Sequence, residues 1–247
     1  MKQIALLKKK AGLARDAFIR LYEEEHAVLI ARLLPFFDAY HRNYPVFAAE
    51  GDRQGFAHDV IMEMWFAGPD QLARLAARMG EGDVGDQMAR DEERLFDRPE
   101  MLMFTVEEVV GIPNGPQPPA RKLILLGRKA AGVDRGAFRD RYEGDHAPAV
   151  LKAIEERGLP RPVSYQRNHV VPQGTFDMSH RDGPAPDVAY DVIAQIGFGA
   201  DADPALVDAL ARDDAFKGLA LDGMLDAGRS PGLAVEEYRS IAPGARA

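Results

Sequence analysis

Along the chain, short apolar runs alternate with longer stretches whose apolar residues recur every three or four positions. Residues 4–7 form a brief apolar run that suits a buried strand. Gly12 suits a turn. From Arg15 onward, Phe18, Leu21, Tyr22, His26, Leu29 and Leu33 fall at spacings that place them on one helical face. The pattern predicts strands over 38–44 and 59–66, separated by a loop rich in Gly and Asp. A second helix is predicted over 69–78, opened by Pro69 at a position where its missing N–H costs nothing. A last strand follows over 101–110. The order β-α-β-β-α-β is the split βαβ unit of ferredoxin-like folds.

The pattern then begins again. Residues 2–27 align without a gap to 122–147, and about half of the paired positions are identical. Phe18, Tyr22, Glu23 and His26 find Phe138, Tyr142, Glu143 and His146. Tyr40-His41-Arg42-Asn43 matches Tyr165-Gln166-Arg167-Asn168. Residues 59–61 match 191–193, and 106–108 match 235–237. The order is kept and only loop lengths differ, so the chain is a duplicated domain. Residues 1–110 form the first repeat, 111–120 a linker and 121–247 the second repeat. The linker is Pro or Gly at most positions and is expected to continue neither strand nor helix. In the second copy Gly132 repeats the turn of Gly12, and Asp134 is placed to cap the helix.

A four-stranded sheet of this kind has helices on one face and must bury the other. The expected architecture is α+β: two tandem ferredoxin-like domains whose antiparallel sheets pack face to face into an α+β barrel. A cavity lies between them, and the linker crosses outside.

Composition narrows the function. At 247 residues, 46% apolar and 28% charged, the chain has the make-up of a globular protein. No apolar run approaches a membrane span, and the chain opens directly into a strand rather than a secretory leader, so a cytoplasmic location is expected. The absence of cysteine excludes disulfides, thiolate metal sites, iron–sulfur clusters and a cysteine nucleophile. A net charge of −8 argues against sequence-independent nucleic-acid binding. The six histidines show no two-His helical spacing, so no metal is expected. No phosphate-binding glycine loop follows a strand, and no cofactor is expected. The acidic runs 23–25 and 91–93 read as solvated helix faces.

The chemistry-bearing candidates are the repeated ones. His26 and His146 can exchange protons at neutral pH, which general acid–base catalysis requires. Tyr22 and Tyr142 lie one turn earlier on the same face, where phenol and imidazole could address one ligand. Glu23 and Glu143 could orient the imidazoles. The plainer reading is a helix-end histidine that donates to a backbone carbonyl. Asn43 and Asn168 alternate with Arg42 and Arg167 on strands, so one of each pair faces the barrel interior. An inward Asn would suit holding a carbonyl or enolate oxygen. Trp65, matched by Gly197, is a pocket wall or core, and Phe18 and Phe138 would make the surroundings apolar.

These residues carry a family resemblance. The basic strand ends and Gly turns, followed by Phe-x3-Tyr-Glu-x2-His-Ala and by Tyr-x-Arg-Asn, resemble the EthD family of dimeric α+β barrel proteins. The likeness covers most of both halves apart from the loops 46–57 and 170–189. The second copy, with His146-Ala147-Pro148, is closer to the family pattern than the first, which has Val28 where Pro is usual. The resemblance implies a barrel formed within one chain instead of between two, and a homodimer of such chains remains compatible with it. Similar barrels host cyclases, dehydratases, lactone isomerases, cofactor-free monooxygenases and haem enzymes. The expected activity is cofactor-independent proton transfer on a small apolar carbonyl or aromatic phenolic substrate, of the cyclase, dehydratase or isomerase type. The alternatives are a cofactor-free oxygenase of a phenol, or a non-catalytic binder of an apolar metabolite or haem. Two unequal cavities are expected, with only one of ligand size. The second half is favoured because Gly197 leaves room and the polar loop 173–186, with His180, could act as a lid.

Overall fold

The computed structural model describes residues 1–47, 53, 55–177 and 190–241. The first half runs β1 (Lys2–Leu7), α1 (Arg15–Leu21), α2 (Ala27–Leu33), β2 (Ala39–Pro45), β3 (Val60–Trp65), α3 (Pro69–Met79), α4 (Val84–Leu95) and β4 (Leu102–Ile112). The second half repeats it with β5 (Arg121–Gly127), α5 (Arg135–Arg141), α6 (Ala147–Glu156), β6 (Ser164–Asp177), β7 (Val192–Phe198), α7 (Pro204–Arg212), α8 (Asp214–Lys217) and β8 (Gly232–Ile241). Gly12 and Gly132 both turn the chain at φ +80°. Asp134 caps α5 by accepting from Ala137 N at 2.9 Å. No helix among the described residues is long and apolar enough to cross a membrane.

All eight strands join one closed antiparallel barrel, in the order β1-β3-β2-β8-β5-β7-β6-β4. This corrects the expected face-to-face packing of two sheets. The halves meet edge to edge, β2 pairing β8 from Ala39↔Ile241 to Pro45↔Val235, and β4 pairing β6. Closure satisfies the backbone groups that two separate sheets would leave at their edges. Alternate side chains then sort into three cores. Ile4, Leu6, Ile61, Phe104, Ile124, Ile193 and Leu233 fill the barrel interior. Ala5, Leu7, Met62 and Met64 point outward to the first-half helices, and Leu123, Leu125, Ala194 and Ile196 to those of the second half.

One end of the barrel interior is charged. Lys2 pairs with Glu63 at 2.7 Å and Glu108 at 2.8 Å, while Lys122 pairs with Glu63 at 3.2 Å and with Glu237. The linker closes this end instead of passing outside the barrel. Arg239 Nη1 donates to Gly115 O at 2.7 Å, and Pro119 packs against the inward side of Gly197. A side chain at Gly197 would collide with Ser164 and Pro119, so this glycine allows close approach and leaves no room for a ligand. The linker also starts later than expected, because β4 continues through Gly111 and Ile112. The Arg167 guanidinium lies over Gly111, where a side chain would have to displace it.

Two local features were not anticipated. Between α1 and α2, and again between α5 and α6, a π-helical turn spans Tyr22–His26 and Tyr142–His146. Its wider winding shifts the buried stripe by one residue, so Ile30 is buried where Leu29 was expected. The second feature is α4, which lies beyond the single helix predicted after β3. The polar loop with His180 lies outside the described residues from position 178; its first residues extend β6.

Candidate functional site

The sheet's outer face and the first-half helices enclose a cavity of about 410 Å³. Its floor is Gln3 on β1, Tyr40 on β2, Met62 and Met64 on β3, and Met103 on β4. Tyr22 and His26 of the first π turn, with Ile30, form one wall. Leu72, Leu75, Ala76 and Met79 of α3 form another, and Met88 and Glu92 of α4 a third. Six of the nine methionines line it. No residue of α3 is buried, although its apolar face is turned to the cavity, so this helix stands off the sheet.

His26 is buried and lines this space. Its Nδ1 lies 2.6 Å from Asp91 Oδ2 on α4, which leaves Nε2 for a ligand. The ring lies 4.9 Å from that of Tyr22 and meets Phe96 edge-on at 5.1 Å. Burial pushes the Asp91 carboxyl up, but its hydrogen bonds to His26 and to Arg94 (2.8 Å) outweigh this and hold it below the ordinary aspartate range. Asp91 therefore takes the orienting role expected of Glu23, and the run 91–93 is not simply a solvated face. Its partner could not be read locally, because 65 residues separate the two groups.

Tyr22 and Tyr40 share a hydroxyl–hydroxyl hydrogen bond of 2.8 Å. Burial, reinforced for Tyr22 by the neighbouring phenols, raises both, Tyr40 to about 12, so both stay protonated. Whichever donates to the other, one hydroxyl hydrogen of the pair is left over. Glu23 accepts from Arg42 Nε at 3.0 Å and from Tyr44 at 2.6 Å, tying the helix to β2. It does not touch His26 among the described contacts.

The second half has the same parts in a closed arrangement. His146 is buried, 4.4 Å from the Tyr142 ring, but its Nδ1 faces Leu219 O at 2.7 Å and no carboxylate among the described residues. Burial holds this imidazole below the ordinary histidine range. Glu143 is taken by Arg167 at 2.7 Å and by His169 at 2.6 Å. Helix α7 rests on β5 and β8, burying Val207, Leu210 and Ala211. Gly232 permits this, since a Cβ there would strike the Ala211 carbonyl. The matching position in the first half is Met103, because Ala5↔Met103 and Leu125↔Gly232 are equivalent pairs. The space found beside Tyr142 is only about 10 Å³. The ligand-sized helix–sheet cavity thus lies in the first half, reversing the expectation.

The remaining candidates do not join His26. Asn43 and Asn168 face the barrel interior, on the other side of the sheet. Asn43 Nδ2 donates to Ile61 O at 3.0 Å and Glu63 Oε1 at 2.7 Å, and Asn168 Nδ2 donates to Ile193 O at 2.8 Å. Trp65 is also interior, donating to Glu108 at 3.2 Å with the Lys2 ammonium over its ring. Phe18 and Phe138 are buried core residues at the edges of separate surface grooves. His41, Glu63 and Glu237 bring possible ligand atoms within 4.8 Å of one another. The lysines already pair with both carboxylates there, so a metal ion is not needed to balance their charge. Burial holds His41 down at about 4.

The profile described as EthD domain matches the chain twice, over residues 10–99 and 130–224. Among solved structures, a candidate monooxygenase from Lactobacillus acidophilus NCFM is similar at 10% identity and a TM-score of 0.51, over 98% of this chain and 95% of that one. A chlorite dismutase variant from Candidatus Nitrospira defluvii follows at 12% identity and 0.46, over 96% and 90%. A haem-binding protein from Thermus thermophilus follows at 11% identity and 0.46, over the same shares. Likeness at this level of identity speaks to fold alone, and the last two scores carry no further argument. No curated protein matches the chain in sequence.

Proposed function

The chain belongs to the EthD domain family, with one domain in each repeat, and from this premise we propose that its first half is the working one: an enzyme that moves a proton on a small apolar carbonyl or phenolic compound. One observation carries the reading. A buried imidazole whose Nδ1 is held by a carboxylate lines a cavity of ligand size with mostly apolar walls, so Nε2 is the nitrogen left for a ligand. Such a pairing selects the tautomer and supports the imidazolium formed when Nε2 takes a proton. The Tyr22–Tyr40 pair supplies a neutral donor for an oxygen that gains charge. Cyclisation, dehydration and isomerisation each need only this exchange, and the reading treats the halves as ferredoxin-like units of which the second is structural.

Haem is the group that the family resemblance brings into question. His26 offers an axial nitrogen, but no Lys or Arg among the described residues lines the cavity to meet the propionates. The described lining does not fit haem.

The test is a panel of aromatic ketones and phenols followed by mass spectrometry and ligand-observed NMR. His26→Ala is expected to abolish turnover, and His146→Ala to leave most of it. Equal losses from both variants, or loss confined to His146→Ala, would reject the assignment to the first half.

A further inference from the structure

We propose that Gln3 recognises the ligand of the first-half cavity, and that this ligand is an uncharged, mostly apolar compound bearing an oxygen function, a phenol or a ketone. The inference rests on the reading of that cavity given above and adds the residue that recognises the oxygen and the requirement that the ligand be uncharged.

Gln3 lies in the middle of the cavity floor. On β1 it shares the outward face of Ala5 and Leu7, which pack under the first-half helices. Gln3 as a residue is 5% exposed; its amide has no hydrogen bond among the described residues and is not one of the fully buried polar atoms left without a partner, so it opens into the cavity. A ligand that covers this amide without offering it a partner loses affinity. In the second repeat the same position is Leu123, fully buried beneath the closed helix layer. This strand position therefore accepts an aliphatic chain where no cavity faces it. A glutamine is retained in the half that is open.

The rest of the lining defines the ligand. Six methionines offer pliable, polarizable walls that adapt to an apolar body without reading its outline closely. Against them stand a few polar groups: the Gln3 amide, the phenol pair and His26 Nε2. Among the described residues no Lys or Arg lines the cavity, and the one carboxylate, Glu92, is held by Arg98 at 3.4 Å. An anionic ligand would have only His26 to compensate its charge. A hydroxyl or carbonyl, by contrast, finds both a donor and an acceptor in the amide.

The experiment measures binding by calorimetry for three probes of one shape: 2-naphthol, 2-methylnaphthalene and 2-naphthoate. The wild-type chain is expected to prefer 2-naphthol over 2-methylnaphthalene, and to bind 2-naphthoate at least about tenfold more weakly than 2-naphthol. Gln3→Leu, the residue of the closed copy, is expected to shrink the naphthol preference by about threefold to tenfold, the worth of one neutral hydrogen bond, while affinity for 2-methylnaphthalene holds. Gln3→Met, closer in volume, should do the same and serves if the leucine variant folds poorly. Leu75→Trp, which intrudes on the cavity from α3, should weaken binding of all three. An unchanged naphthol preference in both Gln3 variants overturns the role of Gln3, and naphthoate binding as tight as naphthol overturns the neutral class. In either case, probe binding that Leu75→Trp weakens leaves the cavity reading standing. Failure of the wild-type chain to bind any probe overturns both.

Discussion

Glu63 is the hub of the charged barrel end, and replacing it with Gln is the sharpest test of how that end is held. Its carboxylate lies 2.7 Å from Lys2 Nζ and 3.2 Å from Lys122 Nζ, and it accepts from Asn43 Nδ2 at 2.7 Å. Glu63 is fully buried, and both lysines are 2% exposed. With Glu108, Glu237 and Arg239, the three carboxylates and three cations cancel. Glu63→Gln preserves shape, and the second repeat itself carries Gln195 at this position. It leaves one positive charge that water cannot reach. Breaking a buried pair from one side costs about 3–5 kcal/mol. Lys2 keeps Glu108 and Lys122 keeps Glu237, so the lower end, about 3 kcal/mol, is expected. With an m-value of about 3 kcal/mol/M, suited to a chain of this size, the urea midpoint should fall by about 1 M without a change in m. The pH dependence has a definite sign. Burial alone would raise Glu63, but Lys122 and Lys2 pull it well below the ordinary carboxylate range. A group depressed in the fold contributes stability above its unfolded pKa, about 4.3, and loses it as pH falls. The gap between wild type and variant should be full at neutral pH and narrow below about pH 4. A midpoint shift under about 0.3 M at neutral pH, or a gap that widens in acid, would refute the ion-cluster account.

Three further outcomes follow from the same contacts. Gly232→Ala sets a methyl against the Ala211 carbonyl and 3.0 Å from Leu125 Cδ2, so it should lower stability by about 1–3 kcal/mol in thermal melts; an unchanged Tm would mean that α7 is not seated on the sheet. Tyr40→Phe breaks a buried 2.8 Å hydrogen bond and should cost about 1 kcal/mol, whereas Tyr165→Phe removes a buried hydroxyl with no partner among the described residues and should be neutral or stabilising. Equal costs in chemical denaturation would contradict this difference between the halves. His146 is held neutral by burial, so its contribution is present above its unfolded pKa of about 6.5 and is lost as pH falls towards the depressed folded value. Wild-type stability should therefore decline below about pH 6.5 more steeply than that of His146→Gln, and parallel curves would count against it.

Much of the fold was legible because its signals are local or periodic. The fixed offset between repeats exposed the duplication, and Gly12, Gly132 and Asp134 act where the sequence places them. Alternation on β2 and β6 separated inward Asn43 and Asn168 from Arg42 and Arg167 on the helix side. The shared face of Tyr22 and His26 held, even though a π turn runs between them and re-phases the helix beyond it. What sequence alone determined was therefore the strands and the main helices, though not α4 or the π turns, their order, and which side chains travel together on each.

Only the tertiary structure decided how the halves meet and which one is open. Edge pairing of β2 with β8 depends on strands about 200 residues apart, which no local periodicity encodes. The partners of the two histidines likewise come from distant elements, Asp91 for His26 and the Leu219 carbonyl for His146. One pair of strand positions marks the difference between the halves. Gly232 lets α7 settle onto the sheet, while Met103 lies on the floor of a cavity beneath α3. A glycine in a sequence can signify room or close approach, and the difference lies in whether a neighbouring group fills the space. At Gly197 and Gly232 one does, because Pro119 and Ser164 in one case and Ala211 in the other stand where a side chain would be.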